Sequence, residues 1–172
     1  NYDPINGFGY FIQNDARTLD VQNEWYFDPS SKKIKIFSTS NPGTVKVASV
    51  DDLVTANSKA YLTFDNISFE GANSDAFNIS FSNNIIIQNC DITYSGDDAV
   101  YCYPNSPNLT VQNCFINHSN NAGINAASTD NAVIRNNTVN NTGIFAGMGK
   151  EVAGNYEAIV SNGNNGDISY NV

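Results

Sequence analysis

Ile87-Gln88-Asn89-Cys90-Asp91-Ile92 returns as Val111-Gln112-Asn113-Cys114-Phe115-Ile116, and again as Ile134-Arg135-Asn136-Asn137-Thr138-Val139. Cys90 and Cys114 are 24 residues apart, and Cys114 and Asn137 are 23 apart. A second phrase keeps step with the first: Asp75-Ala76-Phe77, Asp98-Ala99-Val100, Ala122-Gly123-Ile124. Two phrases on one period, filled with short β-type runs, define a solenoid in which each repeat is one coil. Phe64-Asp65-Asn66-Ile67-Ser68-Phe69 supplies an earlier copy. Each coil adds about 4.8 Å of rise, the spacing of hydrogen-bonded strands, so equivalent residues stack.

That stacking assigns roles. Columns of Ile, Val and Phe fill the interior. Asn66, Asn89, Asn113 and Asn136 fall at one corner, where Asn tolerates the left-handed conformation and could form an amide ladder. Cys90, Cys102 and Cys114 read as free thiols in the core, since buried Cys packs as a small hydrophobe. The fifth coil breaks step. Glu157-Ala158-Ile159 is the counterpart of Ala122-Gly123-Ile124 at a spacing of 35. The extra residues lie around Gly143 to Tyr156 and include Lys150. Solenoid insertions become loops on one face, often a binding face.

Working outward, residues 1–60 form an aromatic, irregular N-terminal region, and the coils are expected over 61–172. Within the first, Glu24-Trp25-Tyr26-Phe27-Asp28 and Ile34-Lys35-Ile36-Phe37-Ser38 flank Pro29-Ser30-Ser31-Lys32-Lys33, which predicts a β-hairpin. The aromatic residues there suit either core packing or a shelf for sugar rings. The chain opens and closes in mid-pattern, so a longer parent polypeptide is expected.

Bulk composition narrows the function. Hydrophobic residues make up 41% of the 172 and charged residues only 15%, a turn-rich β composition. Eight basic against 17 acidic residues give a net charge of −9. Nucleic acid is a poor partner for that surface, because phosphate neutralisation needs clustered Lys and Arg. No apolar run approaches the roughly 18 residues of a membrane span.

Chemistry points to Asp75 and Asp98, one coil apart, with Asp97 alongside. Crowded carboxylates cannot all ionise freely: either one holds its proton near neutral pH or a cation such as Ca²⁺ lies between them. Asp75, Asp97 and Asp98 are therefore candidates both for acid–base catalysis and for calcium binding. Ser-Gly-Asp-Asp is equally ordinary turn chemistry, with Asp accepting backbone N–H bonds.

The coils resemble the right-handed parallel β-helix proteins of the pectate lyase and polygalacturonase superfamily. Asn73-Ser74-Asp75-Ala76-Phe77 is similar to the Asn-Thr-Asp-Gly-Phe motif of polygalacturonases, and Gly96-Asp97-Asp98-Ala99-Val100 to their paired-Asp motif. The resemblance implies an all-β, right-handed parallel β-helix behind an N-terminal β-hairpin, with the three aspartates as acid and base at a glycosidic bond. Inverting hydrolysis separates such carboxyls by about 6.5–9.5 Å. The next motif departs: Asn121-Ala122-Gly123 stands where that family carries Gly-His-Gly, and His118, the only histidine, lies four residues earlier, at the expected preceding turn. β-Elimination would need a base, for which Lys150 is the candidate.

The N-terminal hairpin region also resembles modules of large secreted bacterial proteins, which implies a secreted or cell-surface location. Two readings stay open. One is a carbohydrate-active domain, hydrolase, lyase or binder, with Tyr101, Tyr103 and Glu157 contacting polysaccharide or cell-surface glycan beside the aspartates. The other is a non-catalytic, adhesin-like β-helix in a large surface protein.

Overall fold

The structure, a computed structural model, describes residues 12, 15–145 and 156–172. The chain divides into two compact units, Asn1–Lys46 and Val47–Val172. The first contains the expected antiparallel hairpin, β1 (Trp25–Asp28) with β2 (Lys33–Ile36), in the register Trp25↔Ile36 to Asp28↔Lys33. Its turn is held by Asp28, whose carboxylate accepts the backbone N–H bonds of Ser30 and Ser31 at 3.0 and 3.3 Å. Trp25 and Phe27 point to the solvent-exposed side of this hairpin.

The second unit is the solenoid. Its first coil carries β3 (Val54–Asn57), β4 (Thr63–Asp65) and β5 (Ser68–Ala72), so the ladder is already running upstream of Tyr61. Then follow β6 (Phe77–Ser80), β7 (Ile86–Gln88) and β8 (Asp91–Ser95); β9 (Val100–Cys102), β10 (Thr110–Gln112) and β11 (Phe115–Ser119). The fourth coil has β12 (Ile124–Ala126), β13 (Val133–Arg135) and β14 (Thr138–Thr142), and the fifth β15 (Ile159–Ser161) and β16 (Asp167–Ser169). Like strands pair in parallel. β3-β6-β9-β12-β15 form sheet I, β4-β7-β10-β13-β16 sheet II, and β5-β8-β11-β14 sheet III. The pairing Ile124↔Ile159 places β15 on β12 across the lengthened spacing.

The strands are short because each contributes only one or two residues to a narrow interior. Phe77, Ile87, Ile92, Val100, Val111, Ile116, Ile124 and Ile134 are fully buried. Phe64, Phe69 and Phe77 meet edge to face, with centroids 4.6–6.3 Å apart. That is the geometry aromatic quadrupoles favour. All three cysteines are free and buried.

Turning a coil this tight takes left-handed backbone, and it appears in columns. Asn66, Asn89, Asn113 and Asn136 have φ of 58, 53, 55 and 54°, as the sequence suggests. Their side chains do not ladder, however: the Asn89 amide donates to Asp65 Oδ1 at 2.7 Å. The amide ladder lies one corner earlier. There Asn165 donates to Asn131, Asn131 to Asn108 and Asn108 to Asn84, at 3.4, 3.0 and 3.2 Å. Two further columns, Ser58-Phe81-Asn105-Ser128 and Gly71-Tyr94-His118-Asn141, also take positive φ. The last runs through sheet III, so His118 lies within β11 rather than at a turn, stacked on Tyr94 with centroids 5.0 Å apart.

A buried polar spine completes the interior. Asn137 Oδ1 accepts the Cys114 N–H at 2.9 Å, and its amide donates to Val111 O at 2.9 Å and to Asn171 Oδ1 at 3.0 Å. Cys114 and Cys90 hold the equivalent positions one and two coils earlier, with thiols directed at the carbonyls of Gln112 and Gln88. Among the described residues no helix is long and apolar enough to cross a membrane.

Removing the Asn137 amide leaves the Cys114 N–H and the Val111 carbonyl buried without that partner. Asn137→Ala is expected to lower the unfolding free energy by roughly 2–3 kcal/mol in urea titration. Asn136→Gly beside it keeps the left-handed corner and is expected to change stability by about 1 kcal/mol or less.

Candidate functional site

The candidate site lies where the chain leaves sheet III and begins sheet I. In-register pairing carries one column through Asp52, Asp75, Asp98, Ala122 and Glu157, immediately ahead of the sheet I strands. Asp51, Ser74, Asp97 and Asn121 form a second column beside it, linked by N–H bonds to Asp51, Ser74 and Asp97 carbonyls at 2.9–3.1 Å. The turn ahead of Asp97 needs glycine: a Cβ on Gly96 would stand 2.1 Å from the Asn73 carbonyl oxygen.

In the first column each carboxylate reaches one coil onward. Asp52 Oδ1 accepts the Asp75 N–H at 3.3 Å, Asp75 Oδ1 the Asp98 N–H at 3.1 Å, and Asp98 Oδ1 the Ala122 N–H at 2.8 Å. The second oxygens face amides: Asn78 donates to Asp75 Oδ2 at 3.2 Å, and Asn125 to Asp98 Oδ2 at 3.0 Å. The result is a ladder of aspartates tying successive coils together. Asp52, at its head, is a member that the sequence reading passed over. Its 23-residue offset from Asp75 was the available signal.

Burial decides what these groups can reach. Asp75, Asp97 and Asp98 are only 4%, 6% and 3% exposed. Burial above all, against the stabilising Asp98 N–H and with Asp98, Asp97 and Asp52 nearby, pushes the Asp75 carboxyl up from 3.8 to about 7. One carboxyl of the crowded group thus holds its proton near neutral pH.

A Ca²⁺ ion takes about six to eight oxygen ligands. Here the four carboxylate oxygens of Asp75 and Asp98 each face an N–H donor, which does not fit a calcium cradle. Among the described residues no group of His, Cys, Asp and Glu is placed to hold a metal ion.

The other expected residues separate into surface and rim. Tyr101 lies between buried Val100 and Cys102 on β9, so it faces outward from sheet I, and Tyr103 follows on the same side, 43% exposed. Their rings meet edge to face at 4.5 Å. Asn78 and Asn125 occupy the Tyr101 position on the neighbouring coils, with Thr55 and Val160 beyond them. Asn57, Ala127 and Asn162 continue the outward face around Tyr103, while Ser80 beside them is buried. Glu157 is exposed at the rim, at the Ala122 position of the next coil. Lys150 lies outside the described residues.

Three parallel sheets, each taking one strand from every successive coil, define the parallel β-helix class. The chain belongs to the right handed beta helix region family, whose model matches residues 43–171. This fold is often used for binding or cleaving carbohydrate. No curated protein and no solved structure matches the chain.

The raised Asp75 carboxyl carries a pH signature. The folded state holds this proton more tightly than the unfolded chain, so its contribution to stability is present at acid pH and lost as pH rises from about 4 through about 7. Asp75→Asn keeps an oxygen for the Asp98 N–H and removes the charge, at the cost of the acceptor that faces the Asn78 amide. Thermal melts across that range are expected to show a flatter pH dependence for Asp75→Asn, and a higher melting temperature than the native chain at pH 8.

Proposed function

We propose that this chain is a polysaccharide-binding β-helix of a secreted or cell-surface protein, and that its outer sheet I face holds a glycan without cutting it. The observation that carries the reading is the Tyr101–Tyr103 ring pair, standing outward at the middle coil. Aromatic faces cover the C–H surface of sugar rings, and flanking amides bind hydroxyls. Asn78 and Asn125, on the coils either side, each donate one amide N–H to the aspartate ladder and have a second to offer a sugar hydroxyl.

The aspartates favour holding over cutting. A general acid must lie within hydrogen-bond reach of the glycosidic oxygen. Asp75 and Asp98 face into the coil-to-coil ladder and are almost wholly buried. Ala122 follows them where a polygalacturonase would carry histidine. Fold alone does not choose between enzyme and binder, so the weight rests on these side chains.

Affinity electrophoresis of the full chain through gels containing different polysaccharides tests this. The native chain should be retarded by at least one glycan and release neither reducing ends nor unsaturated products from it. Tyr101→Ala with Tyr103→Ala should weaken retention by about fivefold to a hundredfold, as expected for two aromatic contacts of about 0.5–1.5 kcal/mol each. Asp98→Asn, which costs Asn125 its carboxylate partner, should still be retained and should still release no products. Cleavage abolished by Asp98→Asn would overturn the reading in favour of an enzyme. Absence of retention by every glycan would favour an adhesin-like scaffold.

A further inference from the structure

The class of glycan follows from where charge lies around sheet I. This step rests on the reading of that sheet as the glycan surface. Sheet I strands Val54–Asn57, Phe77–Ser80, Val100–Cys102, Ile124–Ala126 and Ile159–Ser161 contain no Lys or Arg. The outward residues around the tyrosines are Thr, Asn, Ala and Val. From residue 47 onward the sequence has only Lys59, Arg135 and Lys150 as basic residues. Arg135 belongs to sheet II, on a different face. Its guanidinium donates to Gln112 Oε1 at 2.9 and 3.0 Å, Gln112 donates to Gln88, and Gln88 to Asp65. Lys59 lies in the turn between β3 and β4.

The rim is acidic instead. Asp51 and Glu157 are exposed there, and Asp52 is half-buried. Asp98 precedes Tyr101 by three residues, so the rim columns run about 10 Å of strand from the tyrosine, and Asp51 and Glu157 lie two coils to either side, about 10 Å further along the axis, within the Debye length only at low salt. A polyuronate laid across the tyrosines would bring its carboxylates to an acidic edge, with no guanidinium or ammonium from the sheet I strands to receive them. An uncharged sugar meets no such penalty, and its hydroxyls suit the amides and hydroxyls that line the face.

We infer that sheet I binds a neutral polysaccharide and rejects polyuronates, with Tyr101 and Tyr103 as the stacking surface and the Asp51/Glu157 rim as the element of discrimination. The acidic side chains act as selectivity elements beside the binding face.

The test uses the full chain with three probes: a neutral β-glucan, a neutral mannan and polygalacturonate. Each is run in EDTA at low salt and at about 0.5 M NaCl, where the Debye length falls to about 4 Å. Retention by a neutral polymer should hardly change with salt, and polygalacturonate should bind at least about tenfold more weakly. Asp51→Asn with Glu157→Gln should raise polygalacturonate retention at low salt. Circular dichroism of each variant confirms that the coils remain folded.

Retention by polygalacturonate in EDTA that equals or exceeds retention by the neutral polymers would overturn the inference while leaving sheet I a glycan surface. An unchanged polygalacturonate response in the folded double variant would also overturn it, by removing the rim as the discriminating element. Failure of every polysaccharide to bind would remove the glycan surface itself, and the inference with it.

Discussion

The constraint on which the structure depends is registry between successive coils. A parallel solenoid works only if each residue comes to rest above its equivalent one turn earlier, because inter-coil backbone hydrogen bonds and interior packing share that alignment. A slip of one residue would turn Ile87, Val111 and Ile134 outward together. Left-handed residues recur in four columns per turn, three of them at corners and one within sheet III. Asparagine satisfies the demand at two of them through its own tolerance of positive φ. At the others Phe81, Tyr94 and His118 adopt the same conformation, held there by the coils above and below. Strain that a free chain would relax is thus distributed along columns and offset by packing.

The aspartate ladder expresses the same constraint in polar form. At the sheet III to sheet I corner, the N–H of each incoming strand needs an acceptor from its neighbour. Asp52, Asp75 and Asp98 provide one for three coils in succession. Confinement is also what holds the Asp75 proton: the oxygen that fixes the next coil sits in a place where a full negative charge is poorly solvated. Stability and charge state are therefore two readings of one geometry.

The sequence made the solenoid legible because three copies of the Ile-Gln-Asn-Cys phrase share a period that only stacking explains. The lengthened fifth coil was equally readable, since Glu157-Ala158-Ile159 repeats the start of a known strand. The corners were legible only in part. Asn66, Asn89, Asn113 and Asn136 announce themselves by residue type, whereas Ser58, Phe81, Asn105 and Ser128 share a conformation without sharing chemistry. The amide ladder was assigned to the wrong asparagines for a related reason. Spacing shows which residues stack, but side-chain direction at the corner decides whether Asn89 meets another asparagine or Asp65. Asp52 was hidden because Leu53-Val54 does not look like Ala76-Phe77, although the column runs straight through it.

The same limit explains how one motif supports two chemistries. Asn-Ser-Asp-Ala-Phe and Gly-Asp-Asp place carboxylates at the head of a sheet I strand, where a carboxylate can either face outward to a substrate or back to the next coil's N–H. Residue type and spacing are identical in the two cases. Here both oxygens of Asp75 and Asp98 meet donors within the protein, and Gly96 lets the chain close against the Asn73 carbonyl. The carboxylates of Asp75 and Asp98 are therefore engaged by the coil itself, before any substrate is invoked. Ala122 ends the carboxylate series, and Glu157 resumes acidity one coil later at an exposed rim. The proposed glycan surface consequently rests on Tyr101, Tyr103 and the charge around them, residues that stand outside the aspartate ladder.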